Sequence, residues 1–468
     1  MYEPLLPIGT ELFVLDGPVS GSGYTWYKVA PVSFAALSGP GSGWVAIAGK
    51  DGEPWIAAAT GPTVDLAVAI APVPRAAADP ADAKRAATSI NAFGVDVLRG
   101  LLADSELDLR DKNVVFSPTS IEIALAMARA GAKGDTATEM DKVLGTGGWD
   151  ELAAGLNALD QELASRDAKW SDSEGDPEME LKLRMANAPF IQRGWAIEPS
   201  YLEAIASAFG AGLRLVDYFG DVDAARATIN KWVSDRTAGR IPQLLAKEQL
   251  SSDSRFTLVN ALYMKAQWTT QFLDDLTKPA PFTRLDGSRV NVPMMMRRGG
   301  QGLPYVRGDG WQATELRYLG PLLCDGLPCQ PDSPHTTRVQ SPPLAMLLVL
   351  PDDLPRFEAG LTAEKLEAIT AAVTDEWGPL EEQIDCPGAP RGQLGCYRYS
   401  LDLFMPRFSV GTRAKMNEVL KALGMPTAFD ATRADFSGIS AERTYIAFVI
   451  HQANIDVDEK GTEAAAAT

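Results

Sequence analysis

Histidine is nearly missing from this chain of 468 residues: only His335, in a Pro-rich segment, and His451, in a β-branched run, occur. That scarcity leaves few routes to imidazole-based catalysis. The chain also lacks a GxSxG elbow, an HExxH helix and a GxxxxGK[ST] phosphate loop. The sole Ser–His pairing left open is His451 with Ser117 or Ser120, so an enzyme is not expected, and neither is a cofactor. Cysteine is sparse as well, confined to Cys324, Cys329, Cys386 and Cys396 in the segments CDGLPC and CPGAPRGQLGC. Neither pair has the close CxxC-like spacing that structural zinc prefers. Two local loop disulfides, Cys324 with Cys329 and Cys386 with Cys396, are the favoured pairing among three connectivities, and they imply an oxidising compartment.

Basic charge is in deficit: 61 acidic against 43 basic residues give a net charge of −18. That balance argues against nucleic acid, polyanions and anionic membranes as partners. No run approaches the roughly 20 apolar residues of a membrane span, so no transmembrane segment is expected. Met1 is not followed by the basic, apolar and small-residue succession of a signal peptide. The acidic stretch from Trp170 to Glu180 reads as a solvated loop.

With 46% hydrophobic and 22% charged residues, what remains is an ordinary globular composition, long enough for one large domain and a smaller one. Residues 1–71 form the smaller unit, a small all-β barrel. Its short β-rich runs are broken by glycine, with Asp51-Gly52 as a hairpin turn between Val45-Ala46-Ile47 and Trp55-Ile56. Trp26, Tyr27, Trp44 and Trp55 supply the aromatic mass such a barrel needs. The pattern GYTWYKV with GWVA…DGEPW resembles bacterial Src-homology-3-like domains of secreted and surface proteins. Two readings stay open, a barrel without a ligand and a cell-surface or peptide-binding tether. An alanine- and proline-rich linker, residues 72–86, leads into the second domain, residues 87–468.

In that domain a helix is predicted to start near Thr88-Ser89, another follows Ser-Pro-Thr-Ser at Ile121, and a third spans Ala225 to Leu245. RFTLVNALYM, LAMLLVLP, YSLDLFMPRFSV and TYIAFVIHQANIDVDE read as strands. Without regular βαβ alternation, the fold class is α+β with a large, mostly antiparallel sheet.

From about Asn91 to Thr468 the sequence resembles the serpins. The segments NVVFSPTSIEIALAMARAGAKGDTATEMDKVLG, LVNALYMKAQWTTQF, VPMMM, LAMLLVLPDDL, LDLFMPRFSV, LKALGMPTAFD, ADFSGIS and HQANIDVDEKGTEAAAAT recur in the family's order. The resemblance implies a shutter formed by Ser117, Ser120, Asn260 and His451. It implies a breach formed by Trp268, Arg407 and Glu459. The reactive-loop hinge would be Glu459, Lys460, Gly461, Thr462, Glu463, Ala464, Ala465, Ala466, Ala467 and Thr468. A serine or cysteine protease would be the partner and suicide inhibition the activity, with a non-inhibitory binding protein as the alternative. The protein would be a monomer, extracellular or at the cell surface.

Taken bare, TEAAAAT reads as a short helix that Thr462 could cap, whereas the resemblance implies a segment that enters the main sheet as a strand. In a strand, alternate residues face opposite sides. Thr462, Ala464, Ala466 and Thr468 would turn inward, with Glu463, Ala465 and Ala467 outward. Gly461 would supply backbone freedom where the chain swings, and the shutter would be fully hydrogen-bonded internally. The scissile bond and the family's last core strands are expected beyond Thr468. On that reading residues 86–468 alone would fold poorly and inhibit nothing.

Overall fold

The computed structural model describes residues 12–21, 24–31, 43–46, 75–170, 179–210, 214–300, 303–320, 322–324, 327–328, 338–340, 344–377 and 401–468. Three strands, β1 (Leu12–Gly21), β2 (Tyr24–Pro31) and β3 (Gly43–Ala46), pair antiparallel in that order. The Asp51-Gly52 turn and Trp55 lie outside the described residues.

Helix α1 (Pro80–Ala103) starts well before Thr88, so part of the stretch read as linker is helix. The cause is local: the Asp79 carboxylate accepts the Ala81 N–H at 2.8 Å, and Pro80 suits the first turn. Ala83, Ala86, Ile90, Phe93, Val97 and Leu101 then bury one stripe at helical spacing. Next come α2 (Pro118–Arg129), α3 (Gly134–Val143), α4 (Trp149–Ala164), β4 (Ala168–Trp170), β5 (Met179–Gln192), α5 (Pro199–Phe209) and β6 (Arg214–Val216). Helix α6 (Val222–Arg236) stops short of Leu245, because Ala238 and Gly239 turn the chain with φ of 51° and 77°.

After β7 (Phe256–Gln267) the chain builds smaller sheets from β8 (Lys278–Thr283), β9 (Arg289–Gly300), β10 (Tyr305–Gly308), β11 (Trp311–Arg317), β12 (Leu322–Cys324), β13 (Leu327–Pro328), β14 (Arg338–Gln340) and β15 (Ala345–Pro351). Helices α7 (Leu354–Ala359) and α8 (Ala363–Trp377) precede β16 (Leu401–Pro406) and β17 (Phe408–Lys415). The segment read as one strand across Arg407 is therefore two: β16 pairs with β9, while β17 enters the main sheet. Helix α9 (Asn417–Leu423), β18 (Ile450–Val457) and β19 (Gly461–Ala467) complete the described chain.

The main sheet has seven strands in the order β17-β18-β19-β7-β5-β4, with β6 joined to β5. Only the β5–β6 pairing within it is parallel. Two cores flank it. Ile121, Leu125, Phe93 and Met416 pack with Phe256 and Leu258 on the α2 side. On the other side Ile229, Trp232 and Val233 of α6 cover Val259, Ala261 and Tyr263 of β7. This layering of α2, sheet and α6 sets the environment of β19.

Candidate functional site: a seated strand in the main sheet

Strand β19 is bonded on both edges. Thr462 to Ala467 pair with Val457 to Gln452 of β18, and Gly461 to Ala467 pair with Gln267 to Ala261 of β7. The pairing continues through Thr468, which exchanges backbone hydrogen bonds with Asn260 at 3.0 and 2.8 Å. A segment with its amides and carbonyls engaged on both sides is a central strand. The turn from β18 into β19 is closed by the Asp458 carboxylate, which accepts the Lys460 and Gly461 N–H groups at 2.8 and 3.0 Å.

The expected breach residues meet at this turn. Glu459 is 3% exposed, and its Oε1 accepts from Arg407 Nη2 and Thr277 Oγ1, each at 2.6 Å. Desolvation pushes the Glu459 carboxyl up, but these two donors outweigh it and hold the group below its ordinary value. Trp268 donates its backbone N–H to Lys460 O at 2.9 Å and its indole N–H to Asp458 O at 3.0 Å. The indole stacks on Tyr318, with ring centroids 4.5 Å apart, and Tyr318 donates its hydroxyl proton to Thr462 Oγ1 at 2.8 Å. Trp268, Tyr318 and Thr462 are all buried.

At the other end of β19 lie the four expected shutter residues. Ser117 caps α2, its hydroxyl accepting the Ser120 N–H at 3.2 Å. Its own backbone N–H donates to His451 Nε2 at 3.0 Å, so the ring proton sits on Nδ1 and points at Thr468 Oγ1, 2.6 Å away. His451 is buried, and desolvation lowers its pKa to about 3. Both ring nitrogens are thus occupied, neither by a serine hydroxyl. Asn260 donates its side-chain amide to Asn187 Oδ1 at 2.8 Å. The cluster is not fully satisfied, however: Ser120 Oγ and Asn260 Oδ1 are buried without a hydrogen-bond partner among the described residues.

The hinge alternates as its sequence predicts, yet its second face is not outward. Ala465 and Ala467 sit in the core beneath α6, at 2% and 0% exposure, and Ala464 on the opposite face is only half-buried. The helix and its connector to β7 cover that surface. Glu463 alone keeps a polar setting there: its carboxylate accepts from Tyr263 Oη at 2.7 Å and forms an ion pair with Arg240. Arg240 also pairs with Asp456, the residue directly opposite Glu463 in register. Gly461 departs from expectation too. Its φ is not in the left-handed region. Glycine is required there because a Cβ would collide with the Ala266 carbonyl oxygen and approach Gln267 Cα to 2.9 Å.

Arg240, Tyr263, Tyr318, Thr277 and Asn187 escape the sequence reading, since single polar residues on separate elements leave no spacing signal. Of the remaining expectations, His335, Cys329, Cys386 and Cys396 lie outside the described residues, as does the Cys324 side chain, so both disulfide pairings do too.

A family profile described as serpin, serine protease inhibitor, matches residues 88–468. The chain belongs to the serpin family. The family is described as one of serine protease inhibitors, not of enzymes. The chain is 32% identical over 369 residues to a leukocyte elastase inhibitor of Bos taurus, covering 76% of this serpin and 82% of that protein. It is 33% identical over 389 residues to a serpin-like protein of Thermococcus kodakarensis, covering 82% and 76% respectively. Among solved structures, cleaved Serpin 42Da aligns over 82% of this chain and 89% of its own, with a TM-score of 0.62 and 31% identity. Reaction-loop-cleaved lamprey angiotensinogen aligns over 82% and 98%, with a TM-score of 0.63; at 24% identity it speaks to the fold alone. No described helix is long and apolar enough to cross a membrane.

Proposed function

We propose that this serpin is a suicide inhibitor of a serine or cysteine endopeptidase. The protease attacks the reactive loop and forms an acyl-enzyme, and the hinge then slides into the main sheet and traps it. The observation carrying this reading is β19, a strand of small residues bonded on both edges between β18 and β7. Similarity to structures of cleaved serpins supports it. So does the closure of both ends of the strand, by Glu459 and Trp268 above and Thr468 below. The species without β19 in the sheet would be kinetically trapped, since it forgoes these bonds.

This serpin should form detergent-stable covalent complexes with a target protease, and an elastase is the first to test, given the names of its relatives. Clean cleavage with no complex, across serine and cysteine proteases, would favour a non-inhibitory binding protein instead. We also propose that residues 1–71 are a bacterial Src-homology-3-like barrel and that the inhibitor is a monomer acting outside the cell or on its surface. Retention of a 1–71 fragment on cell envelopes tests that placement. A count of free thiols before and after reduction tests the two loop disulfides.

A further inference from the structure

Between Asp51 and Asp79 the chain carries a single basic residue, Arg75. Its side chain is 13% exposed and forms an ion pair with Asp160 of α4, itself 7% exposed. Arg75 Nε also donates to Asn157 Oδ1 at 2.8 Å, and Nη2 reaches the Asn157 carbonyl at 3.5 Å. Asn157 is buried, and its amide donates to the carbonyls of Ala76 and Ala77 at 3.0 and 3.3 Å. Gln161 Nε2 donates to the same Ala76 carbonyl at 3.1 Å, and the Ala76 N–H donates to Ser207 O of α5 at 3.1 Å. One side chain and the backbone of the next two residues are thus held by two helices.

A trypsin-like protease needs these same groups. It draws the arginine side chain into an acidic specificity pocket and pairs the flanking backbone as an extended strand. Here the guanidinium and the adjoining amide and carbonyls are already engaged. We infer that α4 and α5 clamp Arg75–Ala77 and thereby shield the Arg75–Ala76 bond, keeping the N-terminal strands tethered to the inhibitory domain among trypsin-like proteases. Loosening the clamp turns the same bond into the release point. Water then adds across it, leaving a carboxylate on Arg75 and an amine on Ala76. This inference stands apart from the reactive-loop mechanism.

The test is limited trypsin digestion of the full chain followed by intact-mass analysis for the fragment beginning at Ala76. Asp160→Asn should accelerate its appearance at least tenfold, and Gln161→Ala a few-fold, with cuts elsewhere unchanged in rate. Arg75→Lys keeps a trypsin site but gives up the planar fork, and should also be cut faster. It decides the matter if Asp160→Asn lowers the melting temperature into the assay range. Wild-type cleavage at Arg75 as fast as in the folded variants would overturn the inference.

Discussion

The imidazole of His451 donates from Nδ1 to the Thr468 hydroxyl at 2.6 Å while accepting the Ser117 amide at Nε2. A neutral ring is therefore built into the floor of the sheet, and protonation would destroy the Ser117 bond. Burial lowers the His451 pKa to about 3, against 6.5 in the unfolded chain. Stability from this group is fully present above pH 6.5 and is lost as pH falls toward 3. The change is on the order of 5 kcal/mol. Melting temperatures of His451→Gln should vary less with pH over that window than those of wild type. Parallel curves would show that His451 is not a source of the acid sensitivity.

Thr468→Val should uncover the same bond without touching the ring. It removes the hydroxyl partner of a buried Nδ1–H, at a cost of about 1 kcal/mol, since the Ala467 backbone also bonds the ring. Urea denaturation of the strand-inserted form should report this loss. Thr468→Ser, which keeps the hydroxyl, should recover most of it.

Glu122 on α2 has the opposite pH signature. It is buried, its Oε2 has no hydrogen-bond partner among the described residues, and desolvation raises its pKa to about 8. A raised carboxyl pKa favours the fold below pH 4.5, and that contribution is lost as pH climbs through 8. Glu122→Gln should therefore be more stable than wild type by a few kcal/mol at pH 9 and close to it at pH 4. Equal urea midpoints at pH 9 would contradict a buried, uncompensated carboxyl.

Arg240 links the inserted hinge to its neighbour strand. Asp456 and Glu463 face each other in register, an arrangement that repels unless a cation bridges it. Removing the guanidinium in Arg240→Gln should destabilise the inserted form by about 1 kcal/mol, a modest value because the pair is partly exposed. A double-mutant cycle with Glu463→Gln should give a coupling of similar size that shrinks in 1 M salt. Zero coupling at low salt would mean the pair is incidental.

The sequence made the architecture legible where periodicity and punctuation act locally. Ser117 with Pro118 marks α2, and alternation marks β7 and β18. It was less informative where tertiary cover decides. The sequence reads Ala465 and Ala467 as outward-facing because strand alternation carries no information about α6 lying above them. The Ala238–Gly239 turn that ends α6 was hidden by apolar residues continuing at helical spacing. At Gly461 the residue type was informative but its reason was not, since close approach of Ala266 leaves no trace in one dimension. Tyr318, stacked on Trp268, lies far along the chain on a different sheet, so only folding joins them.

That burial on both faces changes which hinge substitution is most damaging. Ala464 is half-buried, so an arginine there retains a partial route to solvent along its stem. Ala467, fully buried beneath α6, offers none. An unpaired charge in that core costs several kcal/mol, which slows insertion relative to hydrolysis of the acyl-enzyme. Ala467→Arg should therefore convert more of the inhibitor into cleaved substrate than Ala464→Arg does. Both should exceed wild type in moles of inhibitor consumed per mole of protease. Gly461→Ala, opposed by the Ala266 carbonyl, should raise that stoichiometry as well. If Ala467→Arg still trapped protease at the wild-type stoichiometry, then strand insertion of this depth would not be what arrests the enzyme.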